Sequence, residues 1–406
     1  MPKLVFLSDL HLGIDAPTNW YQSLVHQPML QAIFDHLGQE TGSIEELIIL
    51  GDLVDQWTYL PSVQPPDFRA IAAAQPAILG PAGALARAAR ALPGRVTYLL
   101  GNHDLLVDPS EVEAIFGAGV RVIADGKAPV YCPPAGGARA DIICTHGHRY
   151  SMFNAPDFQD VPALGLPLGH YVTRLSALWV SQHLQAGQTS ANLAGSGNPS
   201  GWVLDRDILE NVVTGVVSGR DDLSQLVFST LLQATGQTLD LDFRCPDGTT
   251  TKANILANST YRGLYRDWED TGRFPVSDYG LLPGSFALVG DLTDNLGHFA
   301  DVLGKGRKVV VMGHTHAPQL AINHYDLVMP YLYANAGFEC PSLPDFNNSG
   351  KRQYPTFVEV ELDGAGNTYE VAVRFVERVA GSSAGAPAYR VADSSLLPIQ
   401  SIRKSD

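Results

Sequence analysis

Five short blocks of metal-ligating residue types punctuate the chain, and four of them follow directly on a run of apolar residues. They read Asp9-Leu10-His11, Gly51-Asp52-Leu53-Val54-Asp55, Gly101-Asn102-His103-Asp104, Thr145-His146-Gly147-His148 and Gly313-His314-Thr315-His316. Short apolar runs bounded by turn residues are the pattern of strands buried on both faces. Ligands carried just past the ends of such strands converge on one edge of a sheet. The chain is therefore expected to build an α/β fold with its chemistry at the strand ends.

The spacing predicts strands over 3–7, 47–50, 96–100, 120–123 and 142–144. Between them it predicts helices over 28–38 and over 66–92, the second interrupted at Pro76, Pro81 and Gly83. The pattern changes from about residue 151, where helical spacing over 171–184, 205–217 and 223–235 is set among loops rich in Gly, Ser, Asn and Pro. Strand patterns return over 308–312, 320–323, 327–334, 356–362 and 369–375, and from about Ala380 the chain is rich in Ser, Ala and Pro. Residues 1–150 and 306–378 thus read as one split catalytic domain. Residues 151–305 read as a large, mainly helical insertion, far longer than an ordinary connection, serving as lid or oligomerisation element. Residues 379–406 read as a flexible tail.

Composition bounds the function. A net charge of −15 over 406 residues weighs against broad nucleic-acid binding. No apolar stretch is long enough to cross a membrane, and the first residues read as a strand feeding the first block. The cysteines at 132, 144, 245 and 340 lack paired spacing, which fits reduced thiols and a cytoplasmic location.

The blocks suit chemistry on two metal ions. Ions about 3.5–4 Å apart need a bridging ligand, and a carboxylate has two oxygens to offer. Asp52 is placed to bridge, Asp9 and His11 to clasp one ion, and Asn102, His146, His314 and His316 to add an amide oxygen and imidazole nitrogens. Oxygen and nitrogen ligation without thiolate suits Mn²⁺, Fe, Zn²⁺, Ni²⁺ or Co²⁺, with Mn²⁺ placed first. A hydroxide bridging the two ions would attack phosphorus in line. His103 is assigned to protonate the leaving oxygen, with Asp104 orienting it. His148 and Arg149 are weaker candidates for substrate contact, and Asp55 for support of the Asp52 loop or a neighbouring histidine. Arg174, Arg262 and Arg266 are further candidate anion contacts, each more often a solvated surface arginine. The aromatics Tyr171, Trp179, Trp202, Tyr261, Tyr265 and Trp268 read as packing, or as a lid over substrate.

Taken in order, the five blocks resemble the calcineurin-like metallophosphoesterase superfamily over about residues 1–150 and 305–376. The resemblance implies a four-layer α/β/β/α sandwich and a phosphoesterase acting on a small or medium phosphoester. It implies one metal held by Asp9, His11, Asp52 and His316, and a second by Asp52, Asn102, His146 and His314. The opening Ser8-Asp9-Leu10-His11-Leu12-Gly13 is also similar to the branch of UDP-2,3-diacylglucosamine hydrolases. That branch carries Arg at the position of His103 and His-Gly-Asp where this chain has His146-Gly147-His148. Two alternatives share the fold: a scaffold with reduced catalysis, and a nuclease. The retained ligands weigh against the first and the acidic charge against the second.

Overall fold

The computed structural model describes residues 1–117, 119–124, 129–134, 139–151, 154–156, 165–190, 192, 214, 223–258, 303–304, 306–325, 329–338, 355–363, 368–383 and 387–403. Along the chain come β1 (Lys3–Leu7), α1 (Ser23–Gln39), β2 (Ile44–Leu50), α2 (Phe68–Ala74), α3 (Ala84–Ala91), β3 (Val96–Leu99), α4 (Pro109–Phe116), β4 (Val120–Ile123), β5 (Val130–Tyr131) and β6 (Ile142–Thr145). Then follow α5 (Leu168–His183), α6 (Leu223–Ala234), β7 (Asp242–Arg244), β8 (Thr250–Lys252), α7 (Ala253–Asn258), β9 (Val309–Met312), β10 (Gln319–Tyr325) and β11 (Met329–Asn335). The last strands are β12 (Thr356–Leu362), β13 (Thr368–Arg378), β14 (Tyr389–Val391) and β15 (Gln400–Arg403).

Eight strands form one sheet in the order β14-β13-β12-β1-β2-β3-β4, with β15 also on β13; five form another in the order β10-β11-β9-β6-β5. Strands β1 to β4 run parallel, as do β6, β9 and β11. Residues alternate between two faces, as a strand's period of two requires. Leu4 and Phe6 of β1 join Ile48, Leu99, Val309, Val311 and Leu332 in a core between the sheets. Val5 and Leu7 join Leu30, Ile33 and Leu37 of α1 and Leu85 of α3 in a second core. On the far side, Ile143, Val310, Met312 and Tyr331 meet Tyr171 and Leu175 of α5, Phe228 of α6 and Leu256 of α7. The layers are therefore α, β, β and α, as the family resemblance implies.

Segment 151–305 contributes that fourth layer in its described parts. Arg174 of α5 ties it down: fully buried, it donates to the carbonyls of Tyr59, Leu60, Pro61, Val63 and Arg244. Neither a solvated surface arginine nor an anion contact, it is spent on backbone oxygens that would otherwise lie buried without donors. The helix expected over 205–217 lies, apart from Thr214, outside the described residues, as do Trp202, Tyr261, Arg262, Tyr265, Arg266 and Trp268. No helix among the described residues is long and apolar enough to cross a membrane.

Two local expectations are corrected. Helix α1 begins at Ser23, not at Pro28, because the Asp15 carboxylate accepts from the Ser23 amide at 2.9 Å and so caps a turn that Pro28 does not start. The stretch read as a flexible tail supplies β14 and β15, each paired antiparallel with β13. Val391 and Ile402, 9% and 6% exposed, anchor these short strands, and the surrounding Ser, Ala and Pro hide so brief a signal.

A buried ion cluster pins β12 beside β1. Glu359, 1% exposed, accepts from Lys3 at 2.8 Å and from Arg374 at 2.6 Å. Burial pushes its carboxyl up, but the Lys3 bond and charge, with Arg374, hold it below the ordinary glutamate range. A depressed folded-state value stabilises the fold above the unfolded pKa and stops doing so as pH falls through the folded value. We therefore expect the stability gap between wild type and Glu359→Gln, from urea titrations, to be widest near neutral pH and to shrink on acidification below about pH 4. A gap independent of pH would contradict this account.

Candidate metal centre

All five blocks fall at the C-terminal ends of parallel strands: three after β1, β2 and β3, the fourth after β6 and the fifth after β9. Because β1, β2 and β3 are neighbours in one sheet and β6 and β9 in the other, the blocks meet across the seam between the sheets. Hydrogen bonds donated by backbone amides join them. His11 N donates to Asp52 O at 2.9 Å, and Asp55 N to Leu12 O at 3.0 Å. Gly313 N donates to His146 O at 2.9 Å, and His314 N to Asp9 Oδ1 at 3.0 Å. Asn335 holds the fifth block from behind, its amide donating to Gly313 O at 2.9 Å.

The loops are wound tightly. Six non-glycine residues among those described have positive φ, and five of them are predicted ligands: Asp9 at 59°, His11 at 49°, Asp52 at 52°, His314 at 75° and His316 at 53°. Each such conformation costs on the order of 1–3 kcal/mol and clusters where function demands it. Room is equally tight. A Cβ on Gly101 would stand 2.2 Å from Asp52 Oδ1, and one on Gly51, itself at φ +84°, 2.6 Å from the Gly101 Cα.

The ligand atoms converge. Those of Asp9, His11, Asp52 and His316 all lie within 4.8 Å of one another, as do those of Asp52, His146 and His314. Asp52 belongs to both groups. Its Oδ2 stands 3.2 Å from His146 Nε2 and 3.8 Å from His11 Nε2, and is buried with no hydrogen-bond donor among the described residues. Its Oδ1 is held separately, by the His103 amide at 2.8 Å. The Nε2 atoms of His11 and His316 are 2.9 Å apart. Two nitrogens about 2.1 Å from one ion at a right angle stand at about that separation. Asn102 Oδ1 lies 3.0 Å from His146 Nε2. His146 Nδ1 donates to Leu50 O at 2.5 Å, which leaves Nε2 as the nitrogen that could face a metal.

Charge tells the same story. Asp9, Asp52, Asp55 and Asp104 are all buried, at 0–1% exposure, and buried carboxylates demand compensation. Burial, with Asp52 beside it, pushes Asp9 up to about 7. Burial and the His103 charge bring His11 down to about 3, and burial takes His314 well below its usual value, so both rings present lone pairs at neutral pH. Against its own burial, His146 is raised to about 9 by Asp52. Asp52 in turn is held far below the ordinary range, where the charges of His146 and His103 outweigh burial. An unpartnered buried carboxylate oxygen ringed by imidazole nitrogens fits a divalent cation.

The family described as calcineurin-like phosphoesterase matches residues 2–219, more than half of the chain. The chain belongs to this family. The match takes in four of the five blocks and runs on into the segment after the fourth, while pairing of β9 with β6 places the fifth. Among solved structures, the chain is similar to a dimetal phosphatase from Danio rerio at 10% identity, over 92% of this chain and 95% of that one, with a TM-score of 0.35. No curated protein matches the chain.

The site contains partners that the sequence alone assigns differently or does not reveal. Asp55, not Asp104, stands beside the His103 ring, its Oδ1 3.0 Å from His103 Nδ1. Asp104 instead accepts from the amides of Leu53 at 2.8 Å and Gly101 at 2.6 Å, and from the Tyr98 hydroxyl, so it fastens the second block to the third. Chain adjacency suggested Asp104, but in a tight turn neighbouring side chains diverge, and the turn of the second block swings Asp55 inward. Trp20 and Trp57 are unforeseen neighbours of the site's histidine rings, with Trp20 centred 4.9 Å from His11 and Trp57 4.2 Å from His103. The only signal for Trp57 was its place two residues past Asp55. His148 is buried, its ring 5.3 Å from His146 and 6.5 Å from His314. Arg149 lays its guanidinium over the ring of Tyr150.

Displacing the Asp52 carboxylate should displace metal. We expect Gly101→Ala, whose new methyl collides with Asp52 Oδ1, to weaken metal affinity by about 10- to 100-fold in competition with a chelator. Asp52→Asn should lower metal content by elemental analysis. Wild-type metal content in both variants would remove Asp52 from the site.

Proposed function

We propose that this protein hydrolyses a phosphoester with the aid of two divalent metal ions, Mn²⁺ first among the candidates. The observation that carries this reading is the double cluster that shares Asp52. Asp9, His11, Asp52 and His316 would hold one ion, and Asp52, Asn102, His146 and His314 the other. When bound, such a pair makes water nucleophilic at neutral pH and neutralises charge on the phosphoryl oxygens.

The chain's own groups handle position and protons. His103 has Nδ1 committed to Asp55, so Nε2 is the nitrogen left to protonate the departing oxygen. Asp55 fixes the tautomer and favours the charged ring. It is itself fixed by the amides of Trp57 at 2.7 Å and Thr58 at 3.1 Å and by the Thr58 hydroxyl at 2.7 Å. His148 is the proposed substrate contact, with Arg149 beside it in the chain. Segment 151–305, whose helices wall the second sheet, is proposed to select the substrate.

His103→Ala should keep both metals yet lose about 10²- to 10⁴-fold in kcat on alkyl phosphate esters. The loss should be much smaller on aryl phosphates, whose leaving oxygens need no proton. Equal losses on both substrate types would take the proton role from His103. A wild-type protein loaded with metal that turns over no phosphoester would overturn the whole reading.

A further inference from the structure

We infer that Trp57 is a positioning residue for His103, setting the plane of its ring, and that His170 on α5 braces Trp57 from behind. The inference rests on the proton role given to His103 above. One hydrogen bond, from Nδ1 to Asp55, fixes a single atom of the imidazole. The χ2 torsion of histidine is broad, so the ring remains free to swing about that point unless packing stops it. The Trp57 indole stacks on it, with centroids 4.2 Å apart and planes 24° from parallel. The rings of His11, at 4.5 Å and 88°, and Trp20, at 5.0 Å and 47°, meet His103 at steeper angles, so Trp57 is the flat wall.

Trp57 can serve as a wall because it is itself packed and tied. It is 2% exposed, and its amide donates to the same Asp55 oxygen that faces His103. One short turn therefore delivers both the carboxylate that holds one atom of the ring and the indole that holds its plane. The His170 ring meets Trp57 edge-on, at 5.6 Å and 90°. His170 is 0% exposed, and neither of its ring nitrogens has a hydrogen-bond partner among the described residues. Burying an imidazole in that state is costly, and burial with the Arg174 charge keeps it neutral. A polar ring kept there at such a cost, against the indole that stacks on His103, is explained by the geometry it imposes. Through Trp57 the helix that follows the fourth block reaches the proton-handling residue, a link between segment 151–305 and the chemistry that the ligands do not provide.

The test is a double-mutant cycle on metal-loaded full-length protein with an alkyl phosphate ester. Trp57→Leu, which fills much of the space without a flat ring, should lower kcat about 10- to 100-fold with KM and metal content unchanged. Trp57→Phe, which restores a flat ring, should recover most of that loss. In the His103→Ala background Trp57→Leu should cost nothing further, because it acts through His103. His170→Leu, milder for the fold, should give a smaller kcat loss that also vanishes without His103. Full activity of Trp57→Leu, equal losses with Leu and Phe, or losses that persist undiminished in the His103→Ala background would overturn the inference. Full activity of His103→Ala by itself would instead overturn the proton role, so the two failures are told apart. Should Trp57→Leu lose its metals, Trp57→Phe and His170→Leu decide by the same cycle with His103→Ala.

Discussion

Four carboxylates buried in one seam are the constraint from which the rest of the structure follows. Asp9, Asp52, Asp55 and Asp104 have almost no contact with water, and each must find positive charge or donors inside the protein. Asp104 is satisfied by two amides and a phenol, Asp55 by two amides, a hydroxyl and the His103 ring. Those two are closed accounts of local bonding. Asp52 differs, since one oxygen takes the His103 amide and the other faces imidazole nitrogens, with no amide or hydroxyl donor among the described residues. That oxygen is where the cluster of Asp and His side chains could take a cation.

Parallel strands explain why the seam can be built at all. Strands running in one direction deliver all their following loops to one edge, and two such sheets packed face to face bring five loops together. Five candidate ligands in the left-handed region then store strain that only a rigid scaffold can hold. The three apolar clusters supply that rigidity, with the inter-sheet core directly beneath the loops. Site and fold are thus coupled: the strained loops follow strands whose side chains lie in the apolar cores.

Much of this was legible in the sequence, for physical reasons that also mark where reading stops. Runs such as Leu47 to Leu50 are apolar on both faces because each face meets a layer, and this betrayed the buried parallel strands. The ligand blocks were legible because their residue types have few other reasons to follow strands together. Asp55 stands against a neighbouring histidine, as its block suggests, but the place of Asp104 is not legible because sequence adjacency carries no information about which way a side chain leaves a tight turn. Trp57, Trp20 and His170 were invisible as site residues, since aromatics near a helix or loop read equally well as packing. Strands β14 and β15 were missed because three or four residues in a polar stretch carry too short a period to detect.

Anomalous diffraction from crystals grown with Mn²⁺ tests the central claim most directly. The account predicts two peaks per chain with the Asp52 carboxylate between them, one beside His11 and His316 and the other beside His146 and His314. A single peak, or two peaks that Asp52 does not join, would contradict it.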